Sequence, residues 1–162
     1  GQDELMRLAQ PKRIVLDSRF ELASAIAEKE FNIYKREAED GGECIVYTTV
    51  DVEQRSRYPF TIETVAAENG RIDLHALMKQ LAAREVNLLH VEAGSVLCGA
   101  LLKDGLVDEI IVYMAPHIMG DGAKGLFHLP ELKSMKQRIT LQTRDVRSIG
   151  SDIRITAVPL TV

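Results

Sequence analysis

The sequence predicts a mixed α/β domain of three layers. Three observations carry that expectation. Short continuous apolar runs, such as Ile14-Val15-Leu16, read as strands buried on both faces. The middle of the chain alternates strand, helix, strand, helix and strand, an order that implies parallel pairing through crossover helices. The C-terminal stretch places two β-rich arms around Ile149-Gly150-Ser151, which implies an antiparallel hairpin at a sheet edge.

The elements follow in chain order. Lys12 to Asp17 is the first strand, and residues 21–42 hold Ala-, Glu- and Lys-rich sequence compatible with a broken helix that ends at Gly41-Gly42. Cys44 to Thr49 is rich in β-formers and gives the second strand. Val52 to Tyr58 is polar and reads as a loop or short helix. Thr61 to Ala66 is a third strand, with Asn69-Gly70 as a turn signal after it. Asp73 is a plausible N-cap for a helix in which Leu74, Leu77, Met78 and Leu81 share one face, ending near Arg84. Asn87 to Val91 reads as the next strand, with His90 packed in mid-strand. Ser95 to Lys103 is a helix closed by Asp104-Gly105. Glu109 to Met114 is a strand, and Gly120, Gly122 and Gly125 mark a loop after it. In the last arm Ile153, Ile155 and Ala157 alternate with Asp152, Arg154 and Thr156, the pattern of a strand with one wet face.

Composition narrows the partners. With 162 residues, 46% apolar and 27% charged, the chain can bury most of its apolar surface without staples. A net charge of -4, only 5% aromatics and no Trp argue against a nucleic-acid partner. The apolar runs fall far short of the roughly 18 residues a membrane span needs, and no signal peptide is found, so no membrane partner is expected and the expected location is the cytoplasm. Cys44 and Cys98 belong to no C-x-x-C and are expected to be reduced. His75, His90, His117 and His128 lack metal-ligand spacing, so no metal is expected. There is no nucleophile elbow, and Lys133, Lys136 and Arg138 read as a solvated face.

The stretch Leu88 to Ala100, LLHVEAGSVLCGA, carries the chemistry. A strand ends in Glu92, a turn of small residues follows, and a helix begins. Ligands of α/β sheets bind beyond the carboxyl ends of strands. Gly94 would let backbone approach a ligand, and the N–H groups of Ser95, Val96 and Leu97 would be orphan donors suited to a phosphate. There is no G-x-G-x-x-G. Gly94 and Gly99 have P-loop spacing, but Ala100-Leu101 stands where a P-loop needs Lys and Ser or Thr. The same stretch also reads as a plain strand-to-helix turn with Glu92 as a solvated cap.

The run HVEAGSVLCGALLKDGLVDEIIVYMAPHIMGDGAKG resembles the C-terminal half of the reductase domain of the bifunctional riboflavin-biosynthesis deaminase/reductase family. Pro11 to Ser18, PKRIVLDS, resembles that family's P-x-R-V-V-L-D-S strand. The resemblance implies a dihydrofolate-reductase-like fold and NADPH-dependent reduction of 5-amino-6-(5-phosphoribosylamino)uracil to the ribitylamino compound. It implies that Glu92 contacts substrate. It implies that Ser18, Gly94, Ser95, Val96, Leu97, Cys98, Gly99 and Ala100 bind NADPH. It also implies a homodimer.

Three departures shape the expectation. The family's S-L-D-G-R segment and its strand-helix unit, expected ahead of PKRIVLDS, are not in this sequence. Nor is the zinc deaminase domain with its H-x-E and P-C-x-x-C signatures, so zinc is expected only in that absent hydrolase domain. Ala93 stands where the family often has Gly. A leading Gly1 and a polar stretch suggest that residues 1–10 are a tag remnant or linker, with 11–162 the C-terminal part of the reductase domain. The expected alternatives to a working reductase are a truncated, non-catalytic fragment and a nucleotide-binding module on the same scaffold. The chain alone is expected to be inactive.

Overall fold

The computed structural model describes residues 10–25, 32–34 and 42–160. The chain forms two compact units, Gly1–Val86 and Asn87–Val162, and each is taken by itself.

In the first unit, β1 (Arg13–Leu16), β2 (Cys44–Thr48) and β3 (Thr61–Thr64) form a parallel sheet in the order β1-β2-β3. Ile14 pairs with Ile45 and Val46 with Ile62. Every residue of β2 is buried, as expected of a central strand with both faces covered. Alternation sends Cys44 and Val46 to one face, where they cluster with Phe20, Ala23, Tyr34, Phe60 and Ile62. Aromatic packing ties this cluster together. The Phe20 and Tyr58 rings meet edge-on at 5.0 Å, and those of Tyr58 and Phe60 stack at 5.4 Å. Ile45 and Tyr47 point to the opposite face and are fully buried.

The loop after β1 is built on Asp17. Its buried carboxylate accepts the N–H groups of Glu21, Leu22 and Ala23 at 3.1, 2.8 and 2.8 Å, which starts the short helix α1 (Glu21–Ser24). Phe20 takes a left-handed conformation, φ 56°, to make this reversal. The expected broken helix is thus seen at α1 and in a 3-10 turn at Asn32–Tyr34; the rest of that stretch lies outside the described residues. Arg55 fixes the polar loop after β2 by donating to the carbonyls of Val52 and Ile62, to Asp51 and to Thr64. A small hairpin, β4 (Ala67–Glu68) and β5 (Arg71–Ile72), turns through Asn69 and Gly70, both at positive φ, as a two-residue hairpin requires. Helix α2 (Leu74–Ala83) begins at Asp73, whose side chain accepts the Ala76 N–H at 3.0 Å. It buries Leu74, Leu77 and Leu81. Arg84 closes it and pairs with Glu63 of β3, bringing the end of α2 over that strand.

In the second unit, helix α3 (Ser95–Lys103) ends on Gly105, φ 68°, with the Gly105 and Leu106 N–H groups donating back to the carbonyls of Leu102 and Leu101. Strands β6 (Ile110–Met114), β7 (Thr140–Ile149) and β8 (Asp152–Leu160) form an antiparallel sheet in the order β6-β8-β7. The hairpin turns at Gly150, φ 61°, and carries a bulge between Thr143 and Asp145. Arg147 stands opposite Arg154, and the Asp145 carboxylate bridges the two like charges at 2.6 and 3.3 Å.

Two expectations need correction. Asn87–Val91 joins no strand ladder among the described residues. Leu88 is 90% exposed and His90 is exposed rather than packed in mid-strand. An apolar run becomes a strand only where its N–H and C=O groups find a partner, and this run has none there. The parallel pairing therefore lies earlier than the pattern implied, in β1-β2-β3. In addition, β8 does not show one wet face and one dry face: Thr156 is as buried as Ala157. No described helix is long and apolar enough to cross a membrane.

Candidate functional site

The features singled out in the sequence fall in two places. The first is the turn into α3. Gly94 is the N-cap residue at φ -73°, ψ 166°, a conformation any residue adopts, and no side chain caps the helix. A Cβ added at Gly94 would meet nothing within 4 Å. Space over this turn is therefore open. The Cys98 N–H donates to the Gly94 carbonyl at 3.1 Å and its thiol donates to the Ala93 carbonyl at 3.4 Å, which fixes the turn from inside. The N–H groups of the first turn, at Ser95, Val96 and Leu97, precede the first intrahelical donor and are the usual orphans. With the positive end of the helix dipole behind them, they suit an anion. Glu92 lies two residues ahead of Gly94. Its side chain is 88% exposed and lies 3.4 Å from His90 Nε2, an ion pair only when the imidazole is protonated.

Gly99 has a different reason to be glycine. A Cβ there would fall 2.3 Å from the His128 carbonyl oxygen. The backbone of His128 lies against the helix, and its N–H donates to the Ser95 carbonyl at 2.9 Å. This packing against a segment far along the chain is not visible in the sequence pattern around Gly99. Ala100 lies in the same helix, partly buried.

The second place is Ser18, at the end of β1. Its carbonyl accepts the Thr49 N–H at 3.0 Å and the Thr48 and Thr49 hydroxyls at 3.1 and 2.8 Å. Its hydroxyl accepts the Ile72 N–H at 3.3 Å. Ser18 thus ties the end of β1 to β2 and to β5. Neighbouring Asp17, the end of the first predicted strand, is a structural carboxylate that accepts from three backbone donors. An acidic residue a few positions before a helix start was the available signal for it.

Among the described residues no group of His, Cys, Asp and Glu is arranged to hold a metal. Cys44 is buried and Cys98 partly buried, and the two are not joined in a disulfide. Burial raises the Tyr47 phenol above its usual range, with Glu63 and Glu43 adding to the rise and Arg84 opposing it. The hydrogen bond from Arg147 holds the Asp145 carboxyl below its usual range.

The sequence matches the family described as the RibD C-terminal domain over residues 1–155. The chain belongs to this family. It is 36% identical over 148 residues, 90% of its length, to the riboflavin biosynthesis protein RibD of Escherichia coli (strain K12), of which it covers 37%. Over 91 residues, 56% of its length, it is 38% identical to the 5-amino-6-(5-phosphoribosylamino)uracil reductase of Buchnera aphidicola, of which it covers 44%. Among solved structures, Acinetobacter baumannii RibD superposes with a TM-score of 0.67 at 26% identity, covering 94% of this chain and 38% of that one. The chain thus spans 37–44% of the length of these relatives. Its fold is the dihydrofolate-reductase-like mixed α/β fold of the RibD reductases.

Proposed function

We propose that this chain carries the cofactor turn and the substrate-facing carboxylate of an NADPH-dependent reductase that converts 5-amino-6-(5-phosphoribosylamino)uracil to its ribitylamino product. The observation that best supports this is the first turn of α3, uncapped and open above Gly94, in a chain of the RibD C-terminal domain family. The donor set fits a dinucleotide phosphate: three backbone N–H groups at a helix start with no side-chain cap, beside an unobstructed Gly94. NADPH bound at this turn would supply the hydride that reduces the sugar C1′, with the C1′–O4′ bond broken and O4′ protonated.

The chain's own residues bind and orient. Ser95, Val96 and Leu97 donate to phosphate oxygens, Gly94 leaves room for them, and Cys98, Gly99 and Ala100 carry the helix that holds these donors in line. Ser18 keeps its hydroxyl proton free for the cofactor while accepting from Ile72. Glu92 accepts from a sugar hydroxyl and so positions C1′. Two copies associate through β7, the strand at one end of the order β6-β8-β7.

A fluorescence titration with NADPH tests the reading. Gly94→Val is expected to weaken binding at least about 10-fold, or about 1.4 kcal/mol, since the fold itself leaves room for the side chain. Unchanged affinity in a folded variant would remove the assignment.

A second reading is favoured by the exposure of Glu92 and Leu88. A carboxylate 88% open to water holds a substrate weakly, and in this reading the chain binds cofactor without turnover. NADPH oxidation by the isolated chain at a rate near that of a whole reductase would refute this.

A further inference from the structure

Ser95, Gly99 and Lys103 are spaced four residues apart and share one face of α3. Each of the three meets the same later segment. The Ser95 carbonyl accepts the His128 N–H at 2.9 Å. Gly99 lies so close that a Cβ would fall 3.0 Å or less from the nitrogen, carbonyl carbon and oxygen of His128. Lys103 Nζ pairs with the Glu131 carboxylate at 2.8 Å. Residues 128–131 therefore lie along the helix as a strap. Its upstream end leads back to β6 through a loop in which Ile118 and Met119 are exposed and Gly120 takes a positive φ of 74°.

The tightest of the three attachments is backbone against backbone. A carbonyl cannot swing aside as a side chain does, so the approach depends on the missing Cβ of Gly99. It also falls in the first two turns of the helix, where the donors at Ser95 to Leu97 are presented. The imidazole of His128 is not involved; the strap acts through its main chain.

We propose that His128–Glu131 is a positioning strap for the cofactor turn, with Gly99 the residue that lets it seat. This rests on the NADPH reading of that turn. Gly99 then acts on the cofactor through His128. In this proposal a seated strap holds the first turn of α3 ready for the cofactor, and by reciprocity the bound cofactor favours the seated strap.

The experiment is amide hydrogen exchange on the chain with and without saturating NADPH, with NADPH affinity measured in parallel. NADPH is expected to slow exchange at Ser95–Ala100 and at the His128 amide together. Gly99→Ala is expected to speed exchange at His128 and weaken NADPH binding by about 10-fold. Should that variant fail to fold, His128→Pro removes only the strap's donor, with His128→Ala as the control that keeps it. The proline variant is expected to bind weakly and the alanine variant as the parent does. Protection by NADPH confined to Ser95–Ala100, or wild-type affinity in both the Gly99→Ala and the proline variants, would overturn the strap and leave the cofactor reading standing. No protection anywhere in Ser95–Ala100 would overturn the cofactor reading and the strap with it.

Discussion

The two units use similar apolar runs to different ends. In the first, Cys44-Ile45-Val46-Tyr47 is a continuous apolar stretch with both neighbours in its ladder and both faces covered. In the second, Leu88-Leu89-His90-Val91 is as apolar at three of its four positions, yet Leu88 and Val91 are exposed and no ladder among the described residues includes them. Short runs of this kind do not contain their own burial. A strand is stabilised by what pairs with it and what lies on its faces, neither of which is written in the run. Among the described residues, the first unit holds the buried strand and the second holds the candidate turn on exposed backbone.

The largest effect expected from this contrast is on stability. Ile45→Ala should cost about 2–5 kcal/mol, the usual range for emptying a filled core position. Leu88→Ala should stay within about 0.5 kcal/mol, as surface substitutions do. Denaturant titrations of the two variants check the pair, and equal costs would break the contrast.

Glu92 should behave in the opposite way. In a whole reductase containing this chain, where turnover can be followed, Glu92→Gln is expected to lower kcat/KM by about 10- to 1000-fold. Its melting temperature and NADPH affinity should stay near those of the parent. Full activity would make Glu92 a solvated cap.

A third test returns to the first unit. Asp17→Ala leaves three backbone N–H groups without their acceptor at the start of α1. A loss of about 1–3 kcal/mol is expected in thermal or denaturant unfolding. An unchanged midpoint would show that water serves those donors equally well.

Much of the fold was legible in the sequence, for identifiable reasons. α2 carried its cap at Asp73 and its apolar spacing, and α3 had a glycine on either side; both formed where the pattern placed them. The terminal hairpin was written in its turn residues. What could not be read depended on distant partners. The fate of Asn87–Val91 depended on a ladder neighbour. The reason for Gly99 lay at His128, 29 positions further on. The role of Asp17 was local, but its carboxylate turns back on the chain in a reversal that needs Phe20 at positive φ, which no propensity suggests. The candidate turn itself was visible as residues; its openness was not.

The smallest expected effects are on pH dependence. Burial raises the Tyr47 phenol, so its folded-state value lies above the unfolded one near 10.0. That contribution is complete below pH 10 and is lost as pH rises through the folded value. Asp145 runs the other way. Arg147 lowers its carboxyl below 3.8, so its contribution is present above that pH and is lost as pH falls through the lower folded value. Asp145 is open to water and its effect should be slight, read best as early acid fraying of the β7–β8 hairpin by amide exchange. Tyr47→Phe should flatten the alkaline limb of the first unit and leave the hairpin unchanged.

Gly94 offers a use that follows from its ordinary backbone angles. Because neither strain nor a neighbour requires glycine there, residue 94 can be varied without repacking the protein. Alanine, serine, valine and leucine at this position form a set of feeler gauges of increasing thickness. The first side chain to weaken binding measures the gap between the α3 turn and whatever molecule rests on it.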